Sequence, residues 1–356
     1  MHRGPAPLGG DGGGTGPVVG RAGRGSDGAA PGPGALTTID LLTEPWAEAI
    51  GLPPDGPRVV ALGGGHGLAR ALTAAAGYAG AITAVVSVAD DGGSSGRLAA
   101  GLGIPPPGDC RRALLALSPE ASPWRAAVAH RFASGDVAGH CLGNLLLAAL
   151  AVDGGLEKAL GVLGRLLGAR GRVVPAADAP LTLRARVDGR EVRGQVAVSL
   201  SRGEVEAVGV EPAGVPASPT ALEALAEADQ VVVGPGSLFT SLAAVLVVPG
   251  MAAAVNASPG RLVYVANLTT QDGETLGMDG AAHVRALSAT TGMRFPDVVV
   301  VNDAPFRVPA AVEAVRGGEE IIALGARLEG AALADAAAEW PRHDAARLGA
   351  VLRRLA

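Results

Sequence analysis

Two adjacent carboxylates, Asp90 and Asp91, are the residues of this chain whose types and position point most directly to chemistry. They directly follow Ala81–Val88, an apolar run that predicts a buried strand. A carboxylate at the end of a strand can accept a hydrogen bond from a ribose hydroxyl or bind Mg²⁺ through oxygen. Because the two side chains point in different directions, we expect one of them to meet a ligand. Asp91 is the candidate magnesium ligand.

A glycine-rich turn lies about thirty residues earlier, between the predicted strand Arg58–Leu62 and the predicted helix Leu68–Ala76. Backbone N–H groups at such a helix start bind phosphate, although a tight strand–helix turn alone would also need glycine. The loop lacks the Gly-Lys-Ser/Thr end of a Walker A motif. Its histidine is either a phosphate donor or a packed turn residue. The candidate ligand-binding residues here are Gly63, Gly64, Gly65, His66 and Gly67.

A second glycine-rich loop follows the aspartates. Helix capping would explain one of its serines but not two adjacent carboxylates at a strand end. The candidates in this loop are Gly92, Gly93, Ser94, Ser95 and Arg97.

Two predicted helices carry further candidates. Asp109 is a candidate N-cap of a helix over Asp109–Leu117, and Arg111 lies in its first turn, where a cation opposes the helix dipole unless an anion is near. The alternative is an ordinary surface arginine. Asn144 lies in a helix over Cys141–Val152, either as a ligand contact or as a core asparagine with its own hydrogen-bond partner.

Polar residues also follow two later strands, predicted at Gln230–Val233 and Leu262–Ala266. Each group alone could be plain capping. Their repeated position after strands favours one binding site at the carboxyl edge of a sheet. The candidates are Gly234, Gly236, Ser237, Asn267 and Thr270.

The predicted fold class is α/β. Apolar strands without alternation, separated by helices, predict a mostly parallel sheet covered by helices on both faces. Residues 181–200 alternate on either side of Asp188-Gly189, over Leu181–Val187 and Val192–Val198, and predict a small antiparallel β-hairpin excursion. Further elements are predicted as a strand at Val298–Val301 and helices at Leu156–Leu167, Pro219–Ala228, 281–291, 330–339 and 343–354.

Residues 1–37 are rich in glycine, proline and alanine, and we expect them to be disordered because they have little apolar surface to bury. A helix is predicted between Leu36 and Ile50. We expect residues 38–356 to form a single domain.

Composition excludes several classes. The net charge is −5 and no basic stripe with interleaved aromatic residues is found, which argues against a nucleic-acid partner. Cys110 and Cys141 have neither disulfide-framework nor zinc spacing. No apolar run reaches the roughly 18 residues of a membrane span, and no signal peptide is recognised, so the expected location is the cytoplasm. There is no G-x-S-x-G elbow for acyl transfer.

The chain resembles the gluconeogenesis-factor (YvcK) family, within the wider superfamily of the 2-phospho-lactate transferase (CofD). The matching blocks span about residues 58–303 and read GGGHGL, VSVADDGGSSGRL, GIPPPGDCRRALLAL, AGHCLGNLLLAAL, VVGPGSLFTSL and NLTTQDGET. The resemblance implies a Rossmann-like fold in a cytoplasmic protein. It also implies binding of a nucleotide-sugar such as UDP-N-acetylglucosamine, or of NAD, in support of cell shape, envelope synthesis and gluconeogenic growth.

The transferase relative suggests a second hypothesis, a Mg²⁺-dependent enzyme that moves a phosphate-linked group from a nucleotide donor. Its substrate-contacting aspartate corresponds to the Asp90–Asp91 pair, and its basic residue to Arg111. A scaffold with a vestigial pocket is a third hypothesis. The resemblance also suggests a homo-oligomer. The sequence does not decide whether the protein is an enzyme.

Overall fold

A computed structural model describes residues 52–53 and 55–356. The predicted disordered tail, 1–37, and the predicted helix between Leu36 and Ile50 lie outside the described residues.

The described part contains two sheets. Its strands are β1 (Arg58–Gly63), β2 (Ala81–Val86), β3 (Arg172–Pro175), β4 (Thr182–Val187), β5 (Arg190–Arg193), β6 (Val205–Glu211), β7 (Gln230–Val233), β8 (Arg261–Val265), β9 (Val298–Asn302) and β10 (Arg327–Ala331). The larger sheet has the order β10-β9-β8-β7-β1-β2-β3, and every pairing in it is parallel. The α/β class and the mostly parallel sheet are confirmed.

Helices flank this sheet. Those described are α1 (Gly65–Ala75), α2 (Gly93–Leu102), α3 (Gly108–Leu117), α4 (Pro123–Ala129), α5 (Leu142–Gly154), α6 (Leu156–Leu167), α7 (Gln195–Ser201), α8 (Pro219–Ala226), α9 (Ala244–Leu246), α10 (Met251–Ala257), α11 (Gly280–Thr291), α12 (Glu319–Ala323) and α13 (Ala345–Arg354), with a π-helical segment at Leu238–Ala243. No single described helix is long and apolar enough to cross a membrane. Leu238–Leu246 and Met251–Ala257 meet that test of length and composition only as a pair, bent by 77°.

The strand order reverses between β1 and β7, and this reversal positions the site. From β1 the chain builds outward through β2 and β3, and it then returns to place β7 on the other side of β1. Buried valines and leucines of β1, β7 and β8 form the centre of the core. In open parallel sheets a ligand binds outside the carboxyl ends of the strands at such a reversal.

The antiparallel excursion is present, with two differences from the prediction. β4 pairs with β5 as expected, but β6 joins β4 on its other side to make a three-stranded sheet. The predicted strand Val192–Val198 is wrong beyond Arg193, because the chain turns at Gly194 (φ 94°) and enters α7. The Asp91 carboxylate accepts a hydrogen bond from Val196 N–H at 3.0 Å, so a tertiary contact caps this helix.

The predicted helix at 330–339 is also wrong. Residues Arg327–Ala331 instead form the edge strand β10, paired with β9, and the chain then runs as a loop to α13. The alanine-rich composition favours a helix, but pairing with a buried strand overrides that weak preference.

Candidate functional site

A cavity of about 1260 Å³ lies at the carboxyl ends of the central strands. It is lined by the turn after β1, the turn after β7 and the segment after β8. Eight of the candidates predicted from the sequence line it: Gly64, Gly65, His66, Gly67, Gly236, Ser237, Asn267 and Thr270.

Close backbone approach explains why glycine forms one wall. A Cβ atom at Gly67 would lie 2.1 Å from the Pro235 carbonyl oxygen, so the turn after β1 and the turn after β7 touch only because the side chain is absent. Gly65 has a φ of +64°, in the left-handed region. The two glycine turns therefore form a single continuous surface.

Asn267 fixes the turn after β7. Its side chain accepts a hydrogen bond from Gly236 N–H at 2.9 Å and donates one to the Gly236 carbonyl at 2.8 Å. Gln271 Nε2 donates to Ser237 Oγ at 3.0 Å. Thr270 exchanges two hydrogen bonds with Glu313, which ties the segment after β8 to a later loop. These amide and hydroxyl groups shape the cavity wall.

Protein carboxylates occupy helix N-termini that the sequence suggested for phosphate. The predicted N-cap role of Asp109 is wrong, because α3 begins at Gly108 and Asp109 lies inside it. The Asp109 carboxylate instead accepts a hydrogen bond from Gly65 N–H at 2.7 Å, at the start of α1. Glu274 likewise accepts from Phe239 N–H at 3.0 Å, at the start of the π-helical segment.

The electrostatics of the cavity favour an anion. Its lining contains four arginines and two carboxylates, namely Arg70, Arg112, Arg125 and Arg342 against Asp272 and Glu339. Carboxylates outside the lining pair with Arg112 and Arg342, so Arg70 and Arg125 are the lining arginines without an ion pair among the described residues. Partial burial and the Arg112 charge lower the pKa of His66, so its imidazole is neutral at neutral pH. The positive charge of the cavity therefore comes from its arginines.

A buried polar cluster adjoins this cavity at the start of α2. Asn144 Nδ2 donates to Ser94 Oγ at 3.0 Å, and Ser94 Oγ lies 3.0 Å from His140 Nδ1. Arg111 Nε donates to Asn144 Oδ1 at 2.8 Å. The structure brings the candidates Ser94, Arg111 and Asn144 together, but they are not among the residues that line the cavity.

Arg111 is the least compensated charge in that cluster. It is 7% exposed, and it forms no ion pair with a carboxylate of the described residues. Burial lowers its pKa. An isolated buried guanidinium is costly unless an anion accompanies it, so Arg111 is suited to a ligand phosphate.

The remaining candidates have structural contacts of their own. Asp90 accepts from Gly92 N–H at 3.0 Å, and its pKa is raised by burial and by the neighbouring charge of Asp109. Ser95 Oγ accepts from Gly108 N–H at 2.7 Å. The exposed Arg97 donates to the Ala138 carbonyl at 3.3 Å. Gly63, Gly92, Gly93 and Gly234 shape turns beside the site.

The described residues do not provide a preformed set of magnesium ligands. No group of three or more acidic, histidine or cysteine side chains in the described residues is arranged to hold a metal. The carboxylates of Asp90, Asp91 and Asp109 all accept hydrogen bonds from backbone N–H groups. The residues described therefore do not form a magnesium site by themselves.

Sequence reasoning missed one wall of the cavity. Residues 337–343, here called the C-terminal wall, also line it. The segment was missed because the sequence was predicted to form a helix at 330–339. Arg70 was also missed, although its spacing of four residues from His66 places both on one face of α1 and could have revealed it.

Comparisons with known proteins agree with this geometry. The family model described as "2-phospho-L-lactate transferase CofD" matches residues 59–325. A putative gluconeogenesis factor of Mycobacterium tuberculosis is 42% identical over 308 residues, covering 83% of this chain and 89% of that protein. A putative gluconeogenesis factor of Nostoc sp. is 42% identical over 255 residues, and the match spans 70% of this chain and 56% of that longer relative. A crystal structure of a Bacillus halodurans protein superposes with a TM-score of 0.80 at 34% identity, covering 84% of this chain and 99% of the other.

Proposed function

Because this chain belongs to the 2-phospho-L-lactate transferase CofD family and to its gluconeogenesis-factor branch, we propose that it binds a nucleotide-sugar of the UDP-N-acetylglucosamine type. Binding would make the protein a regulator of envelope synthesis, cell shape and gluconeogenic growth. The expected cytoplasmic location and self-association stay predictions.

One observation carries the proposal: a cavity with an excess of arginine lies at the point where the strand order reverses. Arg70 and Arg112 flank the start of α1, where a diphosphate would be neutralised. Its volume of about 1260 Å³ exceeds the usual size of a small-ligand pocket, so there is room for a sugar and a nucleoside on either side of the phosphates.

A second candidate is a transferase of a phosphate-linked group. Asp90 favours it, because burial raises the pKa of its carboxyl and makes the carboxylate a stronger base than that of an ordinary aspartate. Arg111 would stabilise phosphate charge that develops during transfer. A magnesium ion would need oxygen ligands from the bound phosphates. Its contribution is tested by comparing assays with Mg²⁺ and with EDTA.

Isothermal titration calorimetry with UDP-N-acetylglucosamine, NAD and GDP, each with Mg²⁺ and with EDTA, tests the binding function. Arg70→Gln should weaken binding of the preferred ligand by about tenfold, whereas Arg190→Gln on the exposed strand β5 should leave it unchanged. Absence of binding by all three ligands contradicts the proposal. Formation of a product from a nucleotide-linked donor, lost in Asp90→Asn, would favour the transferase.

A further inference from the structure

The C-terminal wall is a rigid part of the cavity. The chain just before the wall is joined to the wall's last residues: Ala334 pairs with His343, and Asp335 N–H donates to the Arg342 carbonyl at 2.9 Å. Arg342 Nε returns a hydrogen bond to the Asp335 carboxylate at 2.8 Å. A loop pinned in this way holds its tip in one place without a ligand.

Trp340 lies at the tip of this wall and lines the cavity while remaining 61% exposed. Leaving so large an apolar ring in water forgoes the stabilisation that its burial would give. Arg70 on α1 and Arg112 on α3 line the same cavity, and the Arg70 charge reaches His343 in the wall. A planar aromatic group attached to phosphates bound by these arginines would cover the indole ring.

His343 adds an unused polar group beside the tryptophan. It is 4% exposed and lies beside the backbone of Ala266, the residue after β8. Its Nε2 atom is buried and has no partner among the described residues. In the tautomer protonated at Nδ1, Nε2 is an acceptor that a ligand N–H or O–H would satisfy.

We propose that the C-terminal wall recognises the nucleoside end of the ligand, with Trp340 stacked on its base and His343 accepting a hydrogen bond from it. This inference rests on the proposed nucleotide-binding function. It assigns specificity to a segment that follows the residues matched by the family model.

Tryptophan fluorescence tests the stacking directly. The chain has three tryptophans, so the full-length Trp46→Phe/Trp124→Phe protein reports Trp340 alone. UDP and UDP-N-acetylglucosamine should quench it, whereas N-acetylglucosamine 1-phosphate and inorganic pyrophosphate should bind with little quenching. Quenching by the sugar phosphate and not by UDP would place the sugar on Trp340 and overturn the inference.

Affinity in the otherwise unchanged protein provides the second readout. Trp340→Ala should weaken UDP binding by about tenfold and leave pyrophosphate binding unchanged, while Trp340→Phe should retain most of the affinity. Trp124→Phe is the control, because Trp124 is exposed on α4 and is not among the residues that line the cavity. Equal UDP affinity of wild type and Trp340→Ala overturns the inference alone, whereas absence of any binding by the wild type overturns the nucleotide-binding function as well.

Discussion

The Asp109 carboxylate on α3 holds the first N–H group of α1, that of Gly65, at 2.7 Å. The same carboxylate forms an ion pair with Arg112, which lines the cavity. Asp109 thus binds both the N-terminus of α1 and the side chain of Arg112, the two groups that a phosphate would use. A bound phosphate must compete with this internal anion.

Asp109→Asn should have opposite effects on folding and on anion binding. The amide still accepts from Gly65 N–H, but the ion pair is lost, so the free energy of unfolding should fall by about 1–2 kcal/mol in urea denaturation. Arg112 is released, so affinity for inorganic phosphate should rise several-fold in calorimetry. Asp272→Asn makes the same charge change elsewhere in the cavity lining. Equal gains in both variants would mean that net charge, and not competition by Asp109, sets the affinity.

Arg111→Gln should separate ligand binding from stability. Glutamine can still donate to Asn144, and removal of a buried, unpaired charge should leave the free energy of unfolding within about 1 kcal/mol of wild type or increase it. Nucleotide affinity should fall by more than tenfold. Parallel measurement of Arg190→Gln controls for a general charge effect. Unchanged affinity in Arg111→Gln would remove Arg111 from the binding site.

Gly67→Ala should be strongly destabilising because the new methyl group meets a backbone oxygen. The clash with the Pro235 carbonyl forces the two glycine turns apart, at an expected cost of about 2 kcal/mol or more. Gly101 in α2 is exposed and has open space around its missing Cβ atom. Gly101→Ala should therefore stabilise the protein by about 0.5–1 kcal/mol. Thermal denaturation should show a lower midpoint temperature for Gly67→Ala and a higher one for Gly101→Ala than for the wild type. Equal changes of the midpoint in the two variants would refute the packing argument.

Two buried histidines should make the protein less stable in mild acid. Burial lowers the pKa of both His283 and His343 to about 4, whereas an unfolded histidine titrates near 6.5. Between these values the unfolded chain binds the extra protons, so the free energy of unfolding should fall as the pH drops from about 6.5 towards 4. From pH 7 to pH 5 the loss should be about 2 kcal/mol for each histidine.

His283→Leu isolates one of these contributions. Both ring nitrogens of His283 are buried and have no hydrogen-bond partner in the described part of the chain, so an apolar side chain should be tolerated and should flatten the pH dependence. His130→Gln, at an exposed position, should retain the wild-type pH profile. Denaturation midpoints measured at pH 5 and pH 7 decide the matter. An unchanged slope in His283→Leu would exclude His283 as a source of the acid sensitivity.

Local patterns predicted the parts of the fold that their own residues dictate. The apolar runs of β1, β7 and β8 and the helix Leu156–Leu167 were located from the sequence, because buried strands and amphipathic helices have characteristic composition and spacing. The glycine turn at Gly64–Gly67 was recognised for the same reason. The left-handed φ of Gly65 is such a local requirement, whereas the contact of Gly67 with Pro235 is long-range.

Long-range contacts decided the rest. The Val-Ala-Val-Ser alternation after Gln195 looks like a strand, yet the carboxylate of Asp91, about a hundred residues away, caps it as a helix. The role of Asp109 as an acceptor for Gly65 depends on how α3 packs beside α1. Trp340 lines the site because residues 330–339 do not form the predicted helix. Strand β10 ends at Ala331, and the loop that follows it carries Trp340 to the cavity. None of these partners can be read from neighbouring residues.

The position of β7 beside β1 governs when the cavity can appear during synthesis. Arg58 and Asp229, hydrogen-bonded at 2.8 Å at the start of these two strands, are separated by 171 residues of chain. A nascent chain that has emerged only as far as β6 exposes one edge of β1 without its neighbour, and such an edge can pair with other chains. Because residues 337–343 also line the cavity, it is complete only when nearly the whole described chain has been made.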